Sequence, residues 1–142
     1  MIRTERRAYD PTQHYAYAVI AARYQGGWLW VRRRDRATYE IPGGHWEPGE
    51  QIEDTARREL YEETGALDFA LRPVCAYSVT SDGSTDYGML YLAQVHTLGP
   101  LPPSEIGEVT VRAQMPEALT YPQIQPYLMR WAEEMITGRQ SP

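Results

Sequence analysis

Gly44-His45-Trp46-Glu47-Pro48-Gly49-Glu50 is followed, after seven intervening residues, by Arg58-Glu59-Leu60-Tyr61-Glu62-Glu63-Thr64-Gly65-Ala66. This stretch decides how the rest of the chain is read. Its first half begins in Pro42-Gly43-Gly44 and passes through Pro48-Gly49, runs that reject regular structure. Its second half, Glu50 to Thr64, is built of good helix formers and meets Gly65, a natural left-handed cap. Glu50, Glu53 and Asp54 crowd the first turns, where the helix dipole favours negative charge.

The spacing within that helix carries the chemistry. With Ile52 at zero and about 100° per residue, Ala56 falls near 40°, Leu60 near 80°, Glu59 near −20° and Glu63 near +20°. Two carboxylates therefore share the direction of the apolar stripe that must face the protein, and Glu62 lies at its border, near −80° by the same count. A glutamate-rich helix is ordinarily a solvated surface. That explanation fails for Glu59 and Glu63, because an inward carboxylate is costly unless paired or bound to metal. Glu59, Glu62 and Glu63 also repel one another at i, i+3 and i+4, and one Arg58 cannot neutralise three charges. A divalent cation resolves the conflict, and all-oxygen ligation favours Mg²⁺, with Mn²⁺ as the alternative. Gly43-Gly44 lets backbone approach this helix closely, so that a carbonyl there can join the ligands. Arg58 lies about 100° from Glu59 on the same wheel, which suits an orienting ion pair with Glu50 or Glu62 better than a substrate contact.

Seven identities at fixed offsets, Gly44, Glu50, Arg58, Glu59, Glu62, Glu63 and Gly65, resemble the signature box of the Nudix hydrolases, which cleave nucleoside diphosphates linked to another group. Ala66 departs from the pattern, where the family usually has a larger aliphatic residue, and the neighbouring Leu67 is the candidate for the missing bulk. The resemblance implies an α/β fold, a Nudix-type α/β/α sandwich with a curved mixed sheet. It also implies metal ligation at Gly43, Glu59, Glu62 and Glu63 and an orienting pair of Arg58 with Glu50 or Glu62 behind them. Metals bridging a diphosphate would polarise phosphorus and lower the pKa of a bound water for in-line attack. The base that accepts the water's proton is a box glutamate or an acidic residue on a facing loop. Glu105 and Glu108, after the loop Gly99-Pro100-Leu101-Pro102-Pro103, are the candidates, and Glu105 is preferred because related enzymes often use a glutamate from this region.

The remaining sequence supports one α/β domain over 1–142. His14 to Tyr24 reads as a strand, Gln25-Gly26-Gly27 as a turn, Trp28 to Arg33 as the hairpin partner and Thr38 to Ile41 as a short strand. Phe69 to Val79 and Tyr87 to Val95 suggest a long hairpin around Ser81-Asp82-Gly83-Ser84, and Glu108 to Ala113 a further strand. Ile124, Leu128, Trp131, Ala132 and Met135 recur at helical spacing before Gly138. Strands with an inserted helix and a closing helix give a sheet between helices.

Composition narrows the partners. A net charge of −5 argues against a general nucleic-acid surface, so the expected ligand is a small nucleotide. All fourteen basic residues are Arg, a side chain suited to bidentate phosphate contacts. Alternation from Leu29 and Val31 turns Arg33 to the buried face, where it is the candidate to hold phosphates. Tyr39 and Trp46 flank the box and are candidates to stack a base. Cys75 reads as a buried structural thiol. No stretch approaches the roughly 20 apolar residues that span a bilayer, and the charged start Met1 to Arg7 lacks an apolar signal core. Cytoplasmic residence without membrane contact is expected, and a homodimer stays open. The favoured substrate is a nucleoside triphosphate, damaged ones included. A nucleotide sugar or dinucleotide is the alternative, and a nucleotide-sensing module without catalysis is a third reading that the intact glutamate set opposes.

Overall fold

The computed structural model describes residues 1–138. Its elements run β1 (Ile2–Arg7), β2 (Tyr17–Tyr24), β3 (Gly27–Arg33), β4 (Gly43–His45), α1 (Ile52–Thr64), β5 (Ala66–Ser81), β6 (Ser84–Leu98), β7 (Ile106–Arg112) and α2 (Gln125–Thr137). The strands form one open mixed sheet in the order β1-β5-β6-β2-β3-β7, with β4 paired to β2. Only β2 and β6 run parallel; the other pairings are antiparallel.

Alternation along the central strands sorts the core into two layers. Ala18, Ile20 and Ala22 of β2 and Met89, Tyr91 and Ala93 of β6 pack with Ala56 and Leu60 of α1. Ala21, Trp28, Trp30, Leu90 and Leu92 pack on the opposite face with Leu128, Trp131 and Ala132 of α2. Each helix thus covers one face through its apolar stripe, as the sandwich expectation requires. Burying each of these large side chains contributes on the order of 1.5–3 kcal/mol.

Two hairpins are set by local chemistry. Gln25 and Gly26 (φ 50° and 81°) join β2 to β3, and Asp82 and Gly83 (φ 52° and 79°) join β5 to β6. Paired left-handed residues match the twist of the strands they connect. β5 and β6 extend beyond Phe69–Val79 and Tyr87–Val95 at both ends, and Pro73 is accommodated where the register shifts between Pro73 and Cys75.

Three expectations change. Thr38 to Ile41 is not a strand; it contributes isolated bridges, Val31 to Glu40 and Tyr39 to Leu119. Gly43–His45, read as a break, pairs with Tyr17–Val19. A Cβ on Gly43 would lie 2.5 Å from Val19 Cγ1, so the absent side chain is what admits this strand. Finally, Ile2–Arg7 is an edge strand on β5, hidden in the sequence because its charged residues suppress an alternating pattern while protecting the edge.

Candidate active site

α1 is delimited by its caps. The Asp54 carboxylate accepts a hydrogen bond from the Gln51 backbone N–H at 2.9 Å, and Gly65 closes the helix at φ 81° with its N–H on Tyr61 O at 2.8 Å. Thr55, Ala56, Leu60, Glu63 and Thr64 are buried, so the helical wheel places Glu63 correctly among the apolar residues. The Glu59 side chain is 14% exposed and Glu62 46%, which reproduces the predicted gradient from inward to border.

Arg58 organises the carboxylates around it. Its Nε donates to Glu50 Oε2 at 2.6 Å and its Nη2 to Glu50 Oε1 at 3.0 Å. Nη1 reaches Glu59 Oε1 at 2.9 Å and Glu62 Oε1 at 3.1 Å, and Nη2 also binds the His45 carbonyl at 3.0 Å. Glu50 further accepts from Thr55 Oγ1 at 2.8 Å and from the Glu47 backbone N–H at 3.1 Å. The Arg58 guanidinium holds Glu50 down at about 2, and Glu50 in turn raises Arg58. This fork ties the loop 45–50 to the helix.

The inward pair behaves in the opposite sense. Burial pushes Glu59 up to about 8, with its hydrogen bond to Glu62 and the charge of Glu63 adding to the effect. Burial likewise pushes Glu63 up to about 7, opposed by the Gly43 N–H that donates to Glu63 Oε1 at 2.9 Å. Arg33 also favours the Glu63 anion, and Glu40 disfavours it. The box therefore has two carboxylates short of positive charge against a backbone that must lack side chains: a Cβ on Gly44 would stand 1.5 Å from Glu59 Oε2. Hard oxygen donors, an excess of negative charge and close carbonyls fit a small divalent cation. No group of three or more His, Cys, Asp or Glu among the described residues converges as it stands, and Glu59 and Glu62 both lie on Arg58.

The other expected residues distribute around this centre. Arg33 is paired with Glu105, and its buried Nε has no partner. Glu105 is exposed on the loop ahead of β7, with its carbonyl accepting from the Arg34 N–H at 2.9 Å. Glu108 is engaged by Tyr39 Oη at 2.8 Å and Arg32 Nε at 3.1 Å, and these hydrogen bonds hold its carboxyl below the usual range. Tyr39 also lies under the Arg112 guanidinium, 4.9 Å from the ring centre. Trp46 donates from Nε1 to the Glu50 carbonyl at 2.6 Å and meets His14 edge-on at 5.0 Å. Both aromatics are half-buried, and neither lines the pocket beneath Gly43 and Gly44. Cys75 is buried, and burial pushes its thiol up to about 11, as expected of a structural cysteine.

That pocket, about 320 Å³, runs from Arg33 and Glu40 past Gly43 and Gly44 to Tyr17, Val19 and Gln125. Glu40 is 8% exposed and was not singled out in the sequence; its place directly before Ile41-Pro42-Gly43 was the available signal. A larger open cleft of about 1000 Å³ lies between Tyr9, Tyr91 and the first turn of α1. It is lined by none of Glu59, Glu62 and Glu63 and does not belong to this centre.

The NUDIX domain model matches residues 12–132, and the chain belongs to that family. It is 37% identical over 79 residues to the putative 8-oxo-dGTP diphosphatase YtkD of Bacillus subtilis (strain 168), an alignment covering 56% of this chain and 49% of that protein. It is 40% identical over 75 residues to the ADP-ribose pyrophosphatase of the same organism, covering 50% of this chain and 40% of that protein. The chain thus spans half or less of these curated relatives. The solved structure of the Bacillus subtilis pyrophosphohydrolase BsRppH superposes with a TM-score of 0.76 over 94% of this chain and 90% of that one, at 24% identity, a likeness of fold. No helix among the described residues is long and apolar enough to cross a membrane.

Proposed function

We propose that this chain is a divalent-metal-dependent hydrolase that cleaves the pyrophosphate linkage of a nucleoside diphosphate derivative, foremost a nucleoside triphosphate, damaged ones included. The observation that carries the reading is the pair Glu59 and Glu63, buried beside Gly43 and Gly44 and raised toward neutral pH while Arg58 is spent chiefly on Glu50. Glu59, Glu62, Glu63 and the Gly43 carbonyl would hold Mg²⁺, or Mn²⁺ in its place. The bound ion supplies charge neutralisation at the diphosphate and a water of lowered pKa.

The chain's own residues supply the rest. Arg33 has a buried donor without a partner and would meet phosphate oxygens. Arg58 and Glu50 fix the helix against the loop so that the ligands share one centre. Glu105 would accept the proton of the attacking water as its oxygen bonds to phosphorus and the bridging P–O bond breaks, the electron pair leaving with the departing phosphate. A nucleoside diphosphate sugar is the second reading, favoured by the resemblance to an ADP-ribose pyrophosphatase.

Replacing Glu59 or Glu63 with Gln removes charge with little change of shape. Either substitution should abolish Mg²⁺-dependent turnover in a phosphate-release screen over nucleotides and weaken divalent binding in calorimetry, with the fold retained. Full activity in both variants would remove the metal assignment.

A further inference from the structure

Gln125 is the first residue of α2, and the residue is 4% exposed. The Ile41 backbone N–H donates to Gln125 Oε1 at 2.9 Å. A backbone N–H can be received only by the amide oxygen, so this bond fixes which end of the side chain is which. The oxygen is spent on the Ile41-Pro42-Gly43 turn. The NH₂ group is the free end, it has no hydrogen-bond partner among the described residues, and Gln125 lines the pocket beneath Gly43 and Gly44. An amide whose oxygen is held by the backbone presents its NH₂ in a fixed orientation, and a ligand that covers that donor without supplying an acceptor leaves it unpaired at a cost. Here it points to a ligand that supplies an acceptor.

The pocket indicates the ligand's orientation. Arg33 and the glycines stand at one end, and the Gly43 N–H is bonded to Glu63. Tyr17, Val19, Tyr77 and Leu128 give the remainder an apolar and aromatic lining suited to a flat ring. At about 320 Å³ the space falls at the lower end of small-molecule sites, which run roughly from 300 to 1,000 Å³. A nucleotide whose phosphates lie on the box would direct its base into this pocket, with the edge farthest from the ribose toward Gln125.

We infer that Gln125 is a specificity-determining residue that selects nucleotides whose base carries a ring carbonyl on that far edge, such as 6-oxopurines and 4-oxopyrimidines. An exocyclic amino group at the same position sets donor against donor and leaves both unpaired. This inference rests on the proposed reading of the site as one for nucleoside polyphosphates.

The test compares ITP with ATP and UTP with CTP, pairs that exchange a carbonyl for an amino group on that edge. With Mg²⁺, kcat/KM should favour the carbonyl member of each pair by about tenfold or more, the scale of leaving a buried donor unpaired. Gln125→Met, which removes the donor, and Gln125→Glu, which keeps an acceptor for Ile41, should reduce both ratios toward unity. Calorimetric binding of IMP against AMP to the wild-type protein should show the same preference without turnover. Wild-type ratios within twofold of unity, or ratios that persist unchanged in both variants, would overturn the inference. Absence of any nucleotide hydrolysis would instead refute the proposed function, and the IMP and AMP binding would still decide the role of Gln125.

Discussion

Single atoms decide most of this centre. Gly44 is required by contact with Glu59: Gly44→Ala must displace either the loop or the carboxylate, since its Cβ would lie 1.5 Å from Glu59 Oε2. We expect that variant to remain folded and to lose metal affinity, read by calorimetry with Mg²⁺ or Mn²⁺. Glu105 and Glu108 differ in freedom: Glu108 is held by Tyr39 and Arg32, whereas Glu105 is exposed and meets only Arg33 among side chains. Glu105→Gln should therefore lower kcat by roughly 10²- to 10⁴-fold with metal affinity nearly unchanged. A loss of that size in Glu108→Gln, with Glu105→Gln near normal, would transfer the role. If neither variant slows turnover, the base is a box glutamate. Glu59 and Glu63 were legible because a helical wheel gives direction, whereas the partners of Arg33, Glu40 and Gln125 lie across loops and follow no sequence period.

Among the elements, α1 links core to chemistry. Leu60 is fully buried against the sheet one residue after Glu59, so the same packing that stabilises the helix aims its carboxylates. Leu60→Ala should cost about 2–5 kcal/mol in denaturant unfolding and also weaken metal binding, because the helix is then free to shift against Gly43 and Gly44. A stability loss of that size without any change in metal affinity would separate the two roles. Helices and hairpins were readable from periodicity and turn residues. β1 and β4 were not, because one is a charged edge and the other is made largely of glycine, and both exist through their partners in β5 and β2.

Across the whole molecule, the buried glutamates couple folding to protons and, in the proposed site, to metal. Burial holds Glu59 at about 8 and Glu63 at about 7 against an ordinary 4.5. Between those values the folded chain keeps protons that the unfolded chain has released, so stability in chelator should fall as pH rises from 4.5 to about 8. Glu50 works in the opposite sense: held at about 2, chiefly by Arg58, it contributes fully above 4.5, and that contribution is lost as pH falls toward 2. Calorimetric Tm in chelator should thus decline between pH 5 and pH 8, each to be read at about those settings, and Mg²⁺ should restore it most at the alkaline end, since only the charged carboxylates ligate. Glu59→Gln should flatten the decline. A Tm in chelator that rises steadily with pH would contradict the burial of these groups.

The sequence by itself determined the helix, its inward carboxylates and the family to which the chain belongs, because all of these follow from spacing along a single element. It also implied two helices on a sheet through the switch between periods of two and about 3.6 residues. Only the tertiary structure decided that Arg58 is divided among Glu50, Glu59 and Glu62, that Arg33 meets Glu105, and that Tyr39 bonds Glu108 and Trp46 the Glu50 carbonyl. It alone brought Gln125 onto the Ile41 N–H and against the pocket. These contacts join residues distant in the chain, and which donor meets which acceptor depends on how loops lie over the sheet, a property that no local pattern of residues encodes.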